Sequence, residues 1–404
     1  IMLIGMMVVS ASAVSYNDLT DKDQIVNKDA VSMLVSLGII EGKPDGSYGP
    51  TENVDRAQMA KMLSVIMNKG VDNSALYQSV NSGLVDVNTN WAKGHINYCY
   101  TTGIIAGRGN GKFDPSATVT ALEAAKMLLV AVGYDPAIEG FEGADWAINV
   151  SVRADEQGIF EGFTKDLSAP LNRDDAALLI YNALDVEMIQ SYTTNNYPIA
   201  YSDHRTILAD KYGVIKVEGV VTANEWAILD DDTDTALQEG KTRIYNPDGI
   251  LSTTGNTAVA QDSSANVKTQ VFNVSTPVDM LGKAVTMYVK KTTILADSTV
   301  YGAPVVSDVN TVIETGEKVT GGDSKDDDSL AALLKGTGLA TDKATEYYHN
   351  YEEVAIDSAD VDDIMNVKGA ALTVIDNDND GYVNYVISVE KSLTHVSGVS
   401  SKNE

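Results

Sequence analysis

The stretch Asp376-Asn377-Asp378-Asn379-Asp380-Gly381 sets carboxylates at the first, third and fifth positions of a loop with glycine sixth. That is the spacing by which a calcium ion is wrapped in oxygen ligands. Tyr382 would add a backbone carbonyl and Asn384 the ninth-position ligand, so the candidate metal set is Asp376, Asp378, Asp380, Tyr382 and Asn384. The twelfth position is Ile387, not a bidentate glutamate, and the flanks at 372–375 and 383–389 read as strands. An acidic hairpin turn accounts for the same residues equally well. Catalytic patterns are missing: His95, His204, His349 and His395 are scattered, with no His-Glu-x-x-His pair, Gly-x-Ser-x-Gly elbow or phosphate loop. No catalytic residue is assigned, and the chain is not read as an enzyme.

What must position any site is a repeated unit. Gly38-Ile39-Ile40-Glu41-Gly42 recurs as Gly103-Ile104-Ile105-Ala106-Gly107 and as Gly158-Ile159-Phe160-Glu161-Gly162, each after a helix-like stretch that the first glycine can end in a left-handed cap. Two copies continue into turns, Asp45-Gly46-Ser47-Tyr48-Gly49-Pro50 and Asn110-Gly111-Lys112-Phe113-Asp114-Pro115. A second helix then opens with a capping-box pattern at Asp55/Gln58, Thr120/Glu123 and Asn172/Asp175. Apolar residues follow at i, i+1, i+4, i+7 and i+8, from Met59, Ala124 and Ala176 onward, one helix face three times over. A single unit cannot bury that face, so the copies should pack as a pseudo-threefold helical bundle, with Leu63, Leu128 and Ile180 together in its core.

These motifs resemble the S-layer homology family over about residues 16–188: one repeat at 16–70, a second at 84–135, and a degenerate third at 142–188 that lacks the aromatic-proline turn. The resemblance implies an anchor that binds secondary cell-wall polysaccharide, often through a pyruvate ketal, and holds a secreted protein non-covalently on the bacterial cell wall. It also implies self-association of subunits in a surface lattice. An arginine at the first position of a helix would set a bidentate donor beside unpaired backbone N–H groups and the positive end of the helix dipole, a niche for a carboxylate. Arg56 and Arg173 stand at that position, whereas the second copy has Ala121. Asp86 and Trp91 would add hydrogen bonding and a stacking face. The plainer alternatives are an arginine paired with Asp55 or Asp174, an aspartate that caps the helix carrying Trp91, and a tryptophan that belongs to the core.

Composition sets the frame. Twenty-nine basic residues against 57 acidic ones give a net charge of −28, which repels nucleic acid and anionic lipid, so any anionic partner needs a local site. The lone Cys99 reads as a small buried residue. Residues 1–13, an apolar run ending in Ala11-Ser12-Ala13, read as the end of a secretory signal peptide, with a buried N-terminal strand as the alternative. That run is too short for a membrane span, and no other segment approaches eighteen apolar residues. From about Tyr192 short β-branched runs predict a β-rich module at 192–313, then an acidic, polar linker at 314–354 and a β-rich segment with the Asp/Asn loop at 355–404. The chain is thus expected to be multidomain, an α-helical triplet followed by a β-rich region. Its rivals are a wall-anchored polysaccharide hydrolase whose catalytic domain lies elsewhere, or an adhesin.

Overall fold

A computed structural model describes residues 16–229, 236–249, 267–290, 298–316, 330–354 and 369–390. The expected signal-peptide segment, 1–13, lies outside them. The N-terminal part is helical: α1 (Lys28–Ser36), α2 (Arg56–Met67), α3 (Lys93–Thr101), α4 (Ala121–Val132), α5 (Trp146–Glu156) and α6 (Arg173–Leu184). Asp55 before α2 and Thr120 before α4 close full capping boxes with Gln58 and Glu123. Asn172 before α6 accepts from the Asp175 N–H, but the Asp175 side chain turns to Lys165. Gly38, Gly103 and Gly158 each end a helix at φ between 69° and 79°, where a Cβ would be strained.

The residue preceding each of the N-caps Asp55, Thr120 and Asn172 joins a closed circuit of backbone hydrogen bonds. Val54 N donates to Leu171 O at 2.8 Å, Leu171 N to Val119 O at 2.8 Å, and Val119 N to Val54 O at 2.9 Å. A second circuit runs the opposite way through the helices' own first turns: Ala57 N to Pro115 O, Leu122 N to Leu167 O, and Asp174 N to Pro50 O, at 3.0–3.1 Å. Around this hub one hydrophobic core includes Leu63, Leu128 and Ile180, all at most 2% exposed, together with Cys99.

A hairpin of β1 (Ile189–Tyr192) and β2 (Pro198–Ala200) leads out of the helical unit. The first sheet, wholly antiparallel, has the order β5-β4-β3-β6-β7, from β3 (Val214–Asn224), β4 (Thr242–Tyr245), β5 (Thr269–Phe272), β6 (Ala284–Lys290) and β7 (Val300–Val306). The second has the order β10-β9-β12-β11-β8, from β8 (Thr311–Glu314), β9 (Glu346–His349), β10 (Glu352–Glu353), β11 (Ala370–Asp376) and β12 (Tyr385–Glu390), with β9 parallel to β12. A short helix, α7 (Leu330–Leu334), covers one face of it. The alternation of β11 and β12 explains how: Leu372, Val374 and Val386 pack with α7, while Ile375 and Ile387 face the core shared with the first sheet. Residues 330–354, expected to be linker, therefore hold α7, β9 and β10. A helical turn at Leu330–Leu334 was expected within that stretch; β9 and β10 were not, because β10 is a two-residue edge strand with both glutamates exposed and β9 buries only Tyr348. Among the described residues no helix is long and apolar enough to cross a membrane.

Truncating Leu63 to alanine inside this core should lower the unfolding free energy by about 2–5 kcal/mol. Val26→Ala, at a position 82% exposed, should stay within about 0.5 kcal/mol. Urea unfolding of both variants checks the pair.

Candidate functional site

The helix starts do not offer the open anion niche that the sequence suggested. Arg56 N donates to Ala117 O, Ala57 N to Pro115 O and Gln58 N to the Asp55 carboxylate; Arg173 N, Asp174 N and Asp175 N go likewise to Glu52 O, Pro50 O and Asn172 Oδ1. The first three N–H groups of both helices are thus spent, because the ends lie inside the hub and buried donors there take neighbouring acceptors.

The arginine side chains reach outward from that hub to the next copy's loop. Arg56, 4% exposed, donates from Nε to Phe113 O at 2.9 Å and from a terminal nitrogen to Ala106 O at 2.8 Å, with its guanidinium 4.4 Å from the Phe113 ring centroid. Burial first, then the neighbouring Arg108 charge, push its pKa down to about 10, which still leaves it protonated at neutral pH. Arg173 repeats the arrangement across the circuit, donating to Tyr48 O at 2.8 Å and Glu41 O at 3.3 Å over the Tyr48 ring. Neither pairs with Asp55 or Asp174: Asp55 caps α2, and Asp174 accepts from the Val26 and Asn27 N–H groups.

Asp86 meets Arg56 on the same turn from the other side. Its oxygens accept from Phe113 N at 2.9 Å and Asp114 N at 2.8 Å, and Asp21 holds Tyr48 N and Gly49 N in the same way in the first copy. Asp86 therefore caps a turn and not α3, which begins two residues after Trp91. Partial burial alone would raise its pKa, but the two N–H bonds outweigh that and hold the carboxyl below its usual value. Trp91 is 58% exposed, edge-on to His95 at 6.4 Å, and does not line the pocket beside Arg56.

That pocket is a cleft of about 490 Å³ whose walls include Arg56, Arg108, Lys126, Glu123, Glu142 and Trp146. Three cations face two carboxylates there, a local positive excess in a protein of net charge −28. Arg108 pairs with Glu123 at the mouth. Lys126 donates to Phe141 O and lies 5.7 Å from the Trp146 ring centroid; burial lowers its pKa, against the pull of Glu142. The tryptophan of this cleft comes from the 142–188 segment, and the sequence reading missed both it and Lys126. The signal was present: Trp146 stands twelve residues before Gly158, as Trp91 stands twelve before Gly103. By the same register Lys61, which reaches Glu41 at 3.3 Å, matches Lys126, whereas the third set has Ala121, Leu178 and Val26 in place of arginine, lysine and tryptophan.

At the far end of the chain, Asp376, Asp378 and Asp380 bring one carboxylate oxygen each within 4.8 Å of one another, a spacing compatible with a hard, oxygen-ligated cation. The loop is also closed by its own bonds. Asp376, 1% exposed, accepts from the N–H groups of Asp378, Asn379 and Gly381, and Asn384 Oδ1 accepts from Asn377 N at 2.7 Å. Tyr382 is half-exposed with its N–H on Asp380, and Ile387 is buried within β12, so no bidentate ligand fills the twelfth position. Partial burial and the charges of Asp380 and Asp376 raise the Asp378 pKa.

The family profile of the S-layer homology domain matches residues 15–60 and 85–125. A cell surface protein of Thermoanaerobacter kivui is 28% identical over 92% of this chain and 42% of its own length. An S-layer protein of Bacillus licheniformis is 33% identical over 28% of this chain and 12% of its own. An exoglucanase of Acetivibrio thermocellus is 29% identical over 44% of this chain and 17% of its own. The chain spans less than half the length of each of these relatives.

Losing the Asp86 clamp should be costly. Asp86→Asn is expected to lower stability by about 1–3 kcal/mol at pH 7, the scale of hydrogen bonds to a charged group. A depressed carboxyl pKa contributes stability above its unfolded value of about 3.9 and loses it as pH falls through the folded value, so the variant's deficit should shrink below about pH 4. Denaturant titrations at pH 7 and pH 3 read the difference.

Proposed function

Residues 15–60 and 85–125 are S-layer homology repeats, and from that premise we propose that the helical unit holds a secreted surface protein on the bacterial cell wall by binding secondary cell-wall polysaccharide. The observation that carries this reading is the cleft of Arg56, Arg108, Lys126 and Trp146: a cationic, aromatic-walled pocket in a strongly acidic chain. An acidic sugar substituent would meet the cations, which gain from lying in a partly desolvated niche, and a sugar face would stack on Trp146. Arg56 serves twice in this scheme. Two of its five donors fix the loop at Ala106 and Phe113, and its charge forms part of the cleft wall. Arg173 and Lys61 supply a second, related groove with Trp91, and the set at Ala121, Leu178 and Val26 supplies none.

The two hydrogen-bond circuits support residues 142–188 as a third, degenerate copy and a pseudo-threefold arrangement of the bundle, since each copy gives one donor and one acceptor to each circuit. The likeness to the cell surface protein runs through 92% of the chain, whereas the exoglucanase likeness covers 44%. That difference favours a surface-layer protein, with the sheets as its structural module and self-association as its mode of assembly, over a wall-anchored enzyme.

Sedimentation of the full chain with purified wall, native or stripped of polysaccharide, tests the reading. Binding should be lost on stripped wall, and Trp146→Ala and Lys126→Met should each weaken it about tenfold, roughly 1.4 kcal/mol, while the protein stays folded. Equal binding of parent and both variants to isolated polysaccharide would move the site elsewhere.

A further inference from the structure

Where the helical unit meets the first sheet stands a carboxylate that anchoring does not use. Asp185, at the end of α6, lies with Oδ2 3.7 Å from Lys216 Nζ on β3 and 3.5 Å from the Tyr288 hydroxyl on β6. The Tyr288 ring meets Tyr181 of α6 edge-on, with centroids 5.9 Å apart and planes at 83°. Tyr288 and Val214 belong to the same hydrophobic core as the helices, so this cluster sits on the joint itself. Lys216 is not devoted to Asp185: it lies closer to Glu218, at 3.0 Å.

We propose that Asp185 is the titrating element of a latch between the helical unit and the first sheet: ionised, it loosens the joint, and protonated, it lets the joint tighten as pH falls below neutrality. The groups that face it are Lys216 and Glu218 from β3, Tyr288 from β6 and Tyr181 from its own helix, with Asp29 of α1 acting on Tyr181. One cation thus serves two carboxylates, which leaves the cluster one negative charge in excess; the Tyr288 hydroxyl donates to Asp185 and favours its anion, but it brings no charge to offset that excess. Burial pushes the Asp185 pKa up to about 6; Lys216 opposes the rise and Glu218 adds to it. With 29% of its side-chain surface still in contact with water, solvent moderates the energetic effect. A folded pKa above the unfolded value of about 3.9 means that ionisation costs the docked state. The joint therefore holds best in mild acid and weakens as pH rises through about 6.

Amide hydrogen exchange and urea unfolding of the full chain at pH 5 and pH 7.5 read the latch. After correction for intrinsic rates, exchange of the β3 and α6 amides should slow about tenfold on acidification, one effective pKa unit. In Asp185→Asn that slowing should vanish, with stability at pH 7.5 equal to the parent's or higher. Lys216→Met removes the cation that opposes the rise, so its cost should be greater at pH 7.5 than at pH 5. If Asp185→Asn is weaker than the parent at pH 7.5 and keeps the parent's pH slope, or if Lys216→Met costs the same at both pH values, Asp185 is an ordinary ion-pair partner and the proposal falls.

Discussion

Everything in the helical unit depends on the three-way circuit of backbone hydrogen bonds through Val54, Leu171 and Val119. Each of these residues is at most 2% exposed, so each N–H and carbonyl there must find a partner inside the protein or lie unsatisfied at a cost of about 1–3 kcal/mol. No copy can meet that demand alone. The circuit closes only when all three segments are present, which gives a physical reason for residues 142–188 to hold their place without an aromatic-proline turn. Leu167, in the position of Pro50 and Pro115, still offers its carbonyl to Leu122. A backbone acceptor is indifferent to side-chain identity, so this contact survives sequence drift.

The hub also fixes what the arginines can do. With the first N–H groups of α2 and α6 spent on neighbouring carbonyls and on their own caps, what these helix starts offer a ligand is the arginine side chain. Arg56 grips the Phe113 carbonyl while Asp86 grips the Phe113 N–H, so one turn is clamped between two copies and an internal aspartate. The cleft forms beside that clamp. Its charge balance runs against the protein's overall field, and near-contact geometry decides such a case, because screening cuts the distant charges to little beyond about 8–10 Å.

Among the described residues, shared cores tie the first sheet to the helical unit and the two sheets to each other. Ile215, Met287 and Val289 of the first sheet pack with Tyr348, Ile375 and Ile387 of the second, and buried Asn377 reaches across to Gly282 O at 2.8 Å. The acidic Asp376 turn is thereby set against the turn that opens β6. On the other side, Tyr288 and Val214 extend the helical core into the first sheet.

The sequence by itself determined the elements with strong local signals. The caps at Asp55, Thr120 and Asn172, the glycine ends at Gly38, Gly103 and Gly158, and the apolar faces through Leu63, Leu128 and Ile180 are short-range matters of hydrogen bonding, φ and helical period. Long strands such as β3 and β6 were legible in their β-branched runs for the same reason. The strands at 346–353 were not, because their glutamates face water and only pairing makes them strands, β9 with β12 and β10 with β9. Nor could local pattern show that Arg56 reaches Phe113, 57 residues away, or that the tryptophan beside it is Trp146 and not Trp91. Which copy lends a side chain to which cleft is set by the direction in which the three-way circuit closes, a property of the assembled backbone that no single repeat contains.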